Sequence, residues 1–576
     1  MKKLNVIWIL GEGIRNYFGD DKYSRYKLFD KLAPEGVLFN NLITSVPSTV
    51  MSHSSMLTSQ PSTYLSRTFA DINFDVSKFP SLSHILKKNG HQIYAKECAA
   101  ELYKFFKELF LLLDQKDLPK TIRNDRNQTS EDINIVLNHL LKKGLKEPFF
   151  LLLNYNNQRN TEGIIEQAIE TMKKKGLFEN SIFLFCPDHA APDENRNPYE
   201  RHDLMLKDAN LLSPFFIQWP GCPKKIVNRL ISTLDIVPTI LDLLQLSSED
   251  YNLKGNSILP LITGDGEYTQ SKFRVDCRYI FQKERRVCIR GKEFKYITYL
   301  DKPPGKNEEF FDLSNDPDEK NNLILSEKYL DKIQEFKLEF EKTEEELVNF
   351  HLNYLTKKFG RRLRNIYKNK KRTPKKIFLL GSAHPLFIKA ILKTINISLS
   401  CPQIDLVISP GVIEEKENTN LKNKINTYYV ETKPMAYEHK KTNYNKENNP
   451  IFNAYSDKVE TNYQAISYEG FMKKHSTLGQ RGYDLVIVPL DNPYGAGHKE
   501  LKRIVKELKT KRVVYVNYNM DFKKLTNWFL EGLRLINKKK GYYLTNPQRM
   551  LYEVKRYYLK EIKNKKFNKI YKNRIY

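Results

Sequence analysis

Residues 181–192 read SIFLFCPDHAAP, an apolar run that ends in an aspartate and a histidine. Residues 6–10 and 149–154 form two further runs of continuous apolar character. Such runs are typical of strands that are buried on both faces of a parallel sheet, where helices cover the sheet. The stretch therefore predicts an α/β fold in which Asp188 and His189 lie at the carboxyl edge of the sheet.

Segments with helical periodicity separate the predicted strands. SLSHILKK at 81–88, EGIIEQAIETMKKK at 162–175 and LDIVPTILDLLQL at 234–246 repeat apolar residues every three or four positions. This alternation predicts a mixed, mainly parallel sheet with helices on both faces. The 576 residues exceed the ~250 to 300 at which single cores stop growing, so we expect at least two domains.

The boundary between the domains is predicted from charge. Residues 356–375 form a basic, polar stretch that follows a charged helix and precedes a new apolar run. Strand and helix patterns then alternate again, which predicts a Rossmann-like α/β domain over 376–537, although it has no Gly-x-Gly-x-x-Gly fingerprint. We therefore expect a first domain at 1–355, a linker at 356–375 and a basic, aromatic tail at 538–576.

Four segments place reactive side chains close to predicted strand or helix ends. They are Glu12 in NVIWILGEGIR, Ser48, Thr49 and His53 in SVPSTVMSHSSMLTS, Asp188 and His189 in SIFLFCPDHAAP, and Arg201 and His202 in YERHDLM. Each segment has an ordinary structural interpretation by itself. For example, a threonine at a helix start is usually an N-cap. Only the four together indicate a site.

The set of segments resembles the alkaline-phosphatase/sulfatase superfamily, whose members show a strand followed by an acidic ligand, a nucleophile that opens a helix, and a strand that ends in Asp-His. The resemblance covers about residues 4–330. It includes GKEFKYI and EEFFDLSNDPDEKNNLI, which are similar to the C-terminal subdomain of sulfatases. It implies the superfamily's α/β sandwich as a catalytic domain over residues 1–355.

The ligand choice distinguishes branches of that superfamily. Sulfatases have two aspartates where this chain has Glu12-Gly13, and a cysteine or serine that is oxidised to formylglycine where it has Thr49. The set of Glu, Thr, Asp and His is similar to that of phosphoethanolamine and lipoteichoic-acid-type phosphoglycerol transferases. The resemblance implies a phosphotransferase that moves an alcohol-phosphate group through a phosphothreonine at Thr49 onto a cell-surface glycan or lipid precursor.

The resemblance also implies roles for individual residues. Glu12, Thr49, Asp188 and His189 would bind one divalent metal ion, Mn²⁺ or Zn²⁺, with Mg²⁺ or Ca²⁺ also compatible. Thr49 would be the nucleophile, while His202 and His53 would bind phosphate or protonate the leaving alcohol. The candidates for substrate binding are Arg15, Ser48, Arg159 and Arg201. Arg159 stands near the place where the family usually has a histidine, and an arginine cannot readily act as a general acid.

Two other functions remain open at this stage. Water as the acceptor would make the domain a phosphodiesterase or a sulfatase-like hydrolase. The C-terminal domain resembles, in KKIFLLGSAHPLFIKAIL at 375–392 and in YDLVIVPLDNPYGAGHKELKRIVKELKTKRVVYVN at 483–517, one half of a two-domain (GT-B) glycosyltransferase. A catalytically silent chain would therefore be a scaffold in glycan assembly. For the transferase, the donor would be a phospholipid or a nucleotide-linked compound, and the acceptor a glycan.

The charge pattern indicates a membrane surface as a further partner. The formal net charge is +27, and residues 538–576 contain thirteen Lys and Arg against two Glu, interleaved with tyrosines. Such a tail suits an anionic membrane. Nucleic acid would attract it too, although we do not expect nucleic acid as a partner, and a solvated tail without a partner is the alternative. Since no run approaches the ~18 to 20 apolar residues of a spanning helix, we expect a cytoplasmic protein, peripheral on the inner face of the membrane.

We predict that the tail drives binding to anionic vesicles, because its basic residues attract the surface while its aromatic rings settle among the headgroups. Co-sedimentation should fall steeply as salt rises toward ~0.5 M, since the Debye length is already ~10 Å at 0.1 M. Neutral vesicles and a chain truncated after Asn537 serve as controls. Equal sedimentation of the full and truncated chains would remove the tail from membrane binding.

Overall fold

The computed structural model describes residues 3–11, 13–14, 26–66, 77–96, 111–113, 132–155, 161–191, 202–280, 285–300, 307–367, 374–381, 385–399, 403–408, 425–429, 432–433, 465–466, 468–489, 499–510, 513–516 and 522–523. The chain divides into two compact units, formed mainly by residues 1–345 and 346–576. In the described ranges, no helix combines the length and the hydropathy needed to cross a bilayer.

The first unit is an α/β structure followed by a small antiparallel sheet. Its strands are β1 (Asn5–Gly11), β2 (Val37–Ile43), β3 (Gln92–Lys96), β4 (Phe149–Asn154), β5 (Ser181–Pro187), β6 (Leu212–Gln218), β7 (Lys225–Val227), β8 (Ile231–Ser232), β9 (Phe273–Asp276), β10 (Arg286–Arg290), β11 (Phe294–Tyr299) and β12 (Glu308–Asp312). Its helices are α1 (Lys27–Leu32), α2 (Thr49–Thr58), α3 (Ser62–Leu65), α4 (Leu82–Lys88), α5 (Asp132–Lys143), α6 (Thr161–Lys174), α7 (Asp208–Leu211), α8 (Ile236–Leu243), α9 (Leu259–Thr263) and the start of α10 (Leu330–Tyr367).

The large sheet has the order β3-β4-β1-β5-β6-β2-β7, and β8 pairs with β2. Strands β3, β4, β1 and β5 are parallel, whereas β6 is antiparallel to β5 and β2. The prediction of a mixed, mainly parallel sheet is confirmed. Because the parallel strands share one direction, their carboxyl ends meet at one edge, where ligands collect in open α/β sheets.

Strand β1 is covered on both faces. Ile7 and Ile9 pack in a buried cluster with residues of helices α1, α5 and α6. Val6, Trp8 and Leu10 alternate with them, point to the opposite face and are equally inaccessible to solvent. The continuous apolar run in the sequence follows from this double burial, since neither face of the strand tolerates a polar side chain.

Helix α6 shows how the sequence pattern produces the packing. Ile165, Ala168, Ile169 and Met172 recur at helical spacing and are all buried, so they form the face that rests on the sheet. After the helix, Gly176 adopts a left-handed backbone (φ 67°), a conformation that glycine reaches without steric cost and that turns the chain toward β5. This glycine therefore helps to keep the connection between α6 and β5 short, and Asp188 directly follows β5.

The small sheet has the antiparallel order β12-β11-β10-β9. Ile289, Tyr296 and Phe310 form its core together with Ile333 and Phe336 from the start of α10. The sheet is therefore covered on one face by a helix, and its other side chains are available for contacts elsewhere in the first unit.

The second unit is a doubly wound sheet. Its strands are β13 (Lys376–Gly381), β14 (Gln403–Ile408), β15 (Ile425–Tyr429), β16 (Thr432–Lys433), β17 (Ala465–Ile466), β18 (Leu485–Pro489), β19 (Val513–Val516) and β20 (Phe522–Lys523), and its helices α11 (Pro385–Ser398), α12 (Tyr468–His475) and α13 (Lys499–Glu507). The sheet order is β15-β14-β13-β18-β19-β20, parallel except for β20, while β16 and β17 pair separately. Counted along the sheet's own strands, this is the 3-2-1-4-5-6 order of a Rossmann-like fold.

Helix α10 runs into the predicted linker. Residues 356–367 of the segment 356–375 are helical, as part of Leu330–Tyr367. The division of the chain at 355, 375 and 537 stays a prediction, and the tail at 538–576 lies outside the described residues.

Candidate active site

The carboxyl edge of the large sheet brings three chain segments together. Leu10 of β1 pairs with Asn154 of β4 and with Cys186 of β5. Beyond the paired region, the Asp188 amide donates to the Gly11 carbonyl over 2.8 Å. Asp188 is therefore held beside the end of β1, where Glu12 follows in sequence but lies outside the described residues.

Helix α2 supplies the next wall of the site. Ser48 is its N-cap residue and Thr49 its first helical residue. The Ser52 hydroxyl donates to the Asp188 carbonyl over 2.5 Å, and the Thr44 hydroxyl lies 3.1 Å from the same oxygen. Ser52 thus attaches the residue after β5 to the helix, and Thr44 attaches it to the loop between β2 and the helix. Sequence reasoning missed both, although the hydroxyl-rich composition of the helix was a signal.

Four side chains converge where the helix meets this edge. Thr49 Oγ1 lies 3.4 Å from His189 Nε2, which lies 3.4 Å from Asp188 Oδ2. His53 Nε2 approaches the same carboxylate oxygen to 3.5 Å. Thr49 and His53 are four positions apart in α2 and therefore share one face of the helix. His53, Asp188 and His189 are buried.

The orientation of His189 follows from its second ring nitrogen. Nδ1 lies 2.7 Å from the Ala190 carbonyl oxygen. A carbonyl oxygen can only accept a hydrogen bond, so the proton of the neutral ring resides on Nδ1. The lone pair of Nε2 then points into the site, which is the arrangement found in metal-binding histidines.

The buried Asp188 carboxyl lies close to two imidazole rings. Burial by itself would raise the pKa of this carboxyl, but the neighbouring His189 and His53 outweigh it and lower the pKa below its ordinary value. Oδ1 accepts the His189 amide over 2.9 Å. Oδ2 accepts no hydrogen bond from any described residue. A buried acceptor without a donor is costly unless another group satisfies it.

The separations of His189 from Thr49 and from Asp188 are compatible with a shared metal ion. Separations of 3.4 to 3.5 Å are longer than a hydrogen bond but match two ligand atoms that each lie ~2.0 to 2.2 Å from one tetrahedral ion. In the described part of the chain, no group of three or more His, Cys, Asp or Glu forms a complete metal cluster by itself. An ion here needs a further ligand, and Glu12 is the predicted one.

Among the remaining predicted site residues, the structure describes Ser48 and the main chain of His202 but not the others. The Ser48 side chain is buried beside Thr49, and its hydroxyl makes no hydrogen bond to described residues. The main chain of His202 lies in a short 3₁₀ helix, His202–Leu204. Glu12, Arg15, Arg159, Arg201 and the side chain of His202 lie outside the description. The assignments of the site residues therefore stay predictions.

The model of the sulfatase family matches residues 4–158 and 115–246, and the model of the N-sulphoglucosamine sulphohydrolase C-terminal region matches residues 200–346. The first unit therefore matches sulfatase models across nearly its whole length. The chain belongs to the alkaline-phosphatase/sulfatase superfamily. The resemblance that the four segments indicated is thereby confirmed.

Curated members of the superfamily include two kinds of relative. An arylsulfatase of Clostridium perfringens is 27% identical over 243 residues, 40% of this chain and 47% of the relative. A lipoteichoic acid synthase of Staphylococcus aureus is 30% identical over 122 residues, 19% of each chain. The chain thus spans less than half the length of these relatives. The sulfatase matches over a larger share of this chain than the lipoteichoic acid synthase does, so the comparisons favour the hydrolase alternative over the predicted phosphotransferase.

Solved structures in the superfamily are similar as well. A phosphonate monoester hydrolase of Agrobacterium radiobacter has a TM-score of 0.49 at 13% identity, covering 60% of this chain and 96% of that one. A 2-O GAG sulfatase has the same TM-score at 17% identity, covering 60% and 93%.

Gly11 makes room for a ring at the edge of the site. A Cβ atom at Gly11 would collide with the Tyr155 ring, which is fully buried there. The Tyr155 amide also donates to the Leu10 carbonyl over 3.0 Å. The ring thus lies against the residue that precedes Glu12. Sequence reasoning missed this contact, because Gly11 and Tyr155 are far apart in the chain.

We predict that Gly11→Ala destabilises the first unit by about 1 to 3 kcal/mol through overpacking against Tyr155. Urea unfolding of the full chain measures the loss. Adding Tyr155→Leu removes the collision, so the double variant should be less destabilised than the sum of the single changes. Additive losses would contradict the contact.

Proposed function

We propose that residues 4–346 form a metal-dependent enzyme that cleaves a phosphate ester through covalent attack by Thr49. The observation that supports this most is the convergence of Thr49, His189, Asp188 and His53 at one sheet edge. A nucleophile, a buried carboxylate and imidazoles within 3.5 Å are the groups that such a reaction requires.

Thr49 favours phosphate over sulfate as the group attacked. In sulfatases the nucleophile derives from formylglycine, an aldehyde made from cysteine or serine. Threonine has a methyl group on Cβ, so the same oxidation cannot give that aldehyde. A threonine hydroxyl can instead attack phosphorus directly and form a phosphothreonine ester.

The residues at the edge fit a divalent ion. Asp188 Oδ2 and His189 Nε2 would bind it together with Thr49 Oγ1, and Glu12 is the proposed additional ligand. When bound, the ion would lower the pKa of the Thr49 hydroxyl and offset charge on the phosphoryl oxygens. Mn²⁺ and Zn²⁺ suit this mixture of oxygen and nitrogen ligands, and Mg²⁺ or Ca²⁺ remain compatible.

The start of helix α2 would receive the phosphoryl oxygens. The Ser48 side chain makes no capping hydrogen bond, so it leaves the first amides of the helix to other acceptors. Helix amides carry partial positive charge toward the N-terminus, which favours an anion there. The buried Ser48 hydroxyl lies at the same helix start.

The reaction would proceed in two displacements. The Thr49 oxygen forms a bond to phosphorus, and the bond between phosphorus and the leaving alcohol breaks. The alcohol gains one proton, for which His202 is the proposed donor, while Thr49 loses one. In the second displacement the oxygen of an acceptor hydroxyl forms a bond to phosphorus and the bond between phosphorus and the Thr49 oxygen breaks. The acceptor loses one proton and the Thr49 oxygen gains one, which restores the hydroxyl.

The comparisons favour water as that acceptor, which makes a hydrolase the first candidate. A transferase is the second candidate, because one relative with 30% identity over its matched region is named a lipoteichoic acid synthase. A transferase would take its phosphoryl group from a phospholipid or nucleotide-linked donor and pass it to a glycan or lipid precursor. The basic tail would then bring the chain to an anionic membrane.

We predict that incubation with phospholipid and nucleotide-linked phosphate esters leaves a covalent adduct on Thr49, measured by intact and peptide mass spectrometry. Thr49→Ala should lose both adduct and turnover while it keeps its fold, because the hydroxyl acts in the transition state. Thr49→Ser should retain part of the turnover.

Product analysis in the same reactions identifies the acceptor. Release of free phosphate or a phosphomonoester without any sugar present supports the hydrolase, whereas product that requires a sugar alcohol supports the transferase. Parental turnover by Thr49→Ala would exclude the threonine nucleophile. A chain with neither adduct nor product would favour the scaffold.

We predict that His189→Gln weakens binding of Mn²⁺ or Zn²⁺ by more than about 100-fold, because it removes a ligand rather than a supporting group. His91→Gln is the matched control, since His91 is also buried but bonds the Leu4 carbonyl instead of the site. Isothermal titration with the metal alone measures both. If His189→Gln and His91→Gln bound the metal with equal affinity, His189 would be excluded as a ligand.

A further inference from the structure

The segment that follows His202 is held by the small antiparallel sheet. The groups that bond it share a position on or beside strands β9 to β12: Arg278 with Asp203, Arg286 with the Leu204 carbonyl, Lys295 with the Leu206 carbonyl and Asp208, Arg290 with Asp208, and Glu319 with the Asp208 amide. Side chains on or beside this sheet therefore bond four of the residues between 203 and 208, namely Asp203, Leu204, Leu206 and Asp208.

The end of β9 contacts both segments of the candidate site. The Asp276 amide donates to the Ser45 carbonyl over 3.1 Å, three residues before Ser48. Two residues later, the Arg278 guanidinium pairs with the Asp203 carboxylate. One short stretch of chain thus bonds the loop before the nucleophile and the residue next to His202.

The pair of Arg278 and Asp203 is buried, with side chains only 6% and 3% exposed. A buried ion pair adds little stability compared with apolar residues of similar size, yet loss of one partner is strongly destabilising. The pair instead restricts geometry, because a guanidinium and a carboxylate can bond in only a few relative orientations. The pair therefore specifies where the main chain of residues 202–204 lies.

A second anchor holds the same segment further along. Lys295 is fully buried between Asp208 and Glu319, and the carboxylates raise the pKa of its ammonium group although burial alone would lower it. The pKa of Asp208 is lowered to about 2 by Lys295 and Arg290 against the opposing effect of burial. Because this anchor is independent of Arg278, the segment should stay folded when Arg278 is replaced.

We propose that Arg278 and Asp203 are positioning residues that set His202 relative to Thr49. The inference rests on the proposed function, in which His202 protonates the leaving alcohol. A displacement of about 1 Å at a catalytic group costs on the order of 10²-fold in rate. Loss of the pair should therefore affect the substrates that need a proton donor and spare those that do not.

The test compares two phosphate esters that differ only in the leaving group, 4-nitrophenol or a simple alkyl alcohol. Arg278→Met in the full chain should reduce kcat for the alkyl ester by on the order of 10²-fold, whereas the nitrophenyl ester, whose leaving group needs no protonation, should lose much less. Arg278→Lys should recover part of the alkyl activity. His202→Asn should show the same selectivity. The double variant His202→Asn with Arg278→Met should have nearly the same kcat for the alkyl ester as His202→Asn alone.

Two controls separate position from stability. Arg274→Met removes a partly buried arginine of β9, whose partners are Asp276, Thr343 and Glu344, and it should lower Tm without changing the ratio of the two activities. The double variant Asp203→Asn with Arg278→Met leaves no unpaired buried charge. It should regain Tm relative to Arg278→Met but not turnover of the alkyl ester.

Equal losses for both esters in Arg278→Met, or recovery of alkyl turnover together with Tm in the double variant, would overturn the positioning role while the proposed function stands. A parental chain that cleaves neither ester and forms no adduct at Thr49 would overturn the proposed function, and this inference with it.

Discussion

The burial of one carboxylate constrains the rest of the first unit. Asp188 is inaccessible to solvent, and its charge is held between the imidazoles of His53 and His189. A buried charge is expensive unless other groups satisfy it, so the surrounding chain must supply them. The His189 amide donates to the carboxylate itself. The Gly11 carbonyl and the Ser52 hydroxyl bond the main chain of Asp188 and so fix where the carboxylate lies.

The arrangement explains why helix α2 is rich in small hydroxyl residues. A helix that begins at a sheet edge must bury its polar face against the ends of strands, where carbonyl groups need donors. Ser52 supplies such a donor to Asp188, and Ser59, just after the helix, supplies one to the Leu234 carbonyl. The same small side chains leave space at the helix start, where Thr49 faces His189.

The small sheet positions a part of the first unit that the large sheet does not. The large sheet and α2 place Thr49, Asp188 and His189, whereas the segment after His202 depends on side chains from β9 to β11 and beyond β12. These contacts are mostly charged and buried, so they specify geometry more than they add stability.

The alternation of buried parallel strands with helices, the placement of Asp188 and His189 at a strand end and of Thr49 at a helix start could be predicted from the sequence by itself. These features follow from local periodicity, since a doubly buried strand must be apolar and a parallel sheet must collect its polar residues at one edge. Only the tertiary structure showed Ser52 against Asp188, Tyr155 against Gly11 and Arg278 against Asp203. Each of these contacts joins residues more than 70 positions apart, and no local pattern carries that information, because the pairing depends on how separate elements pack.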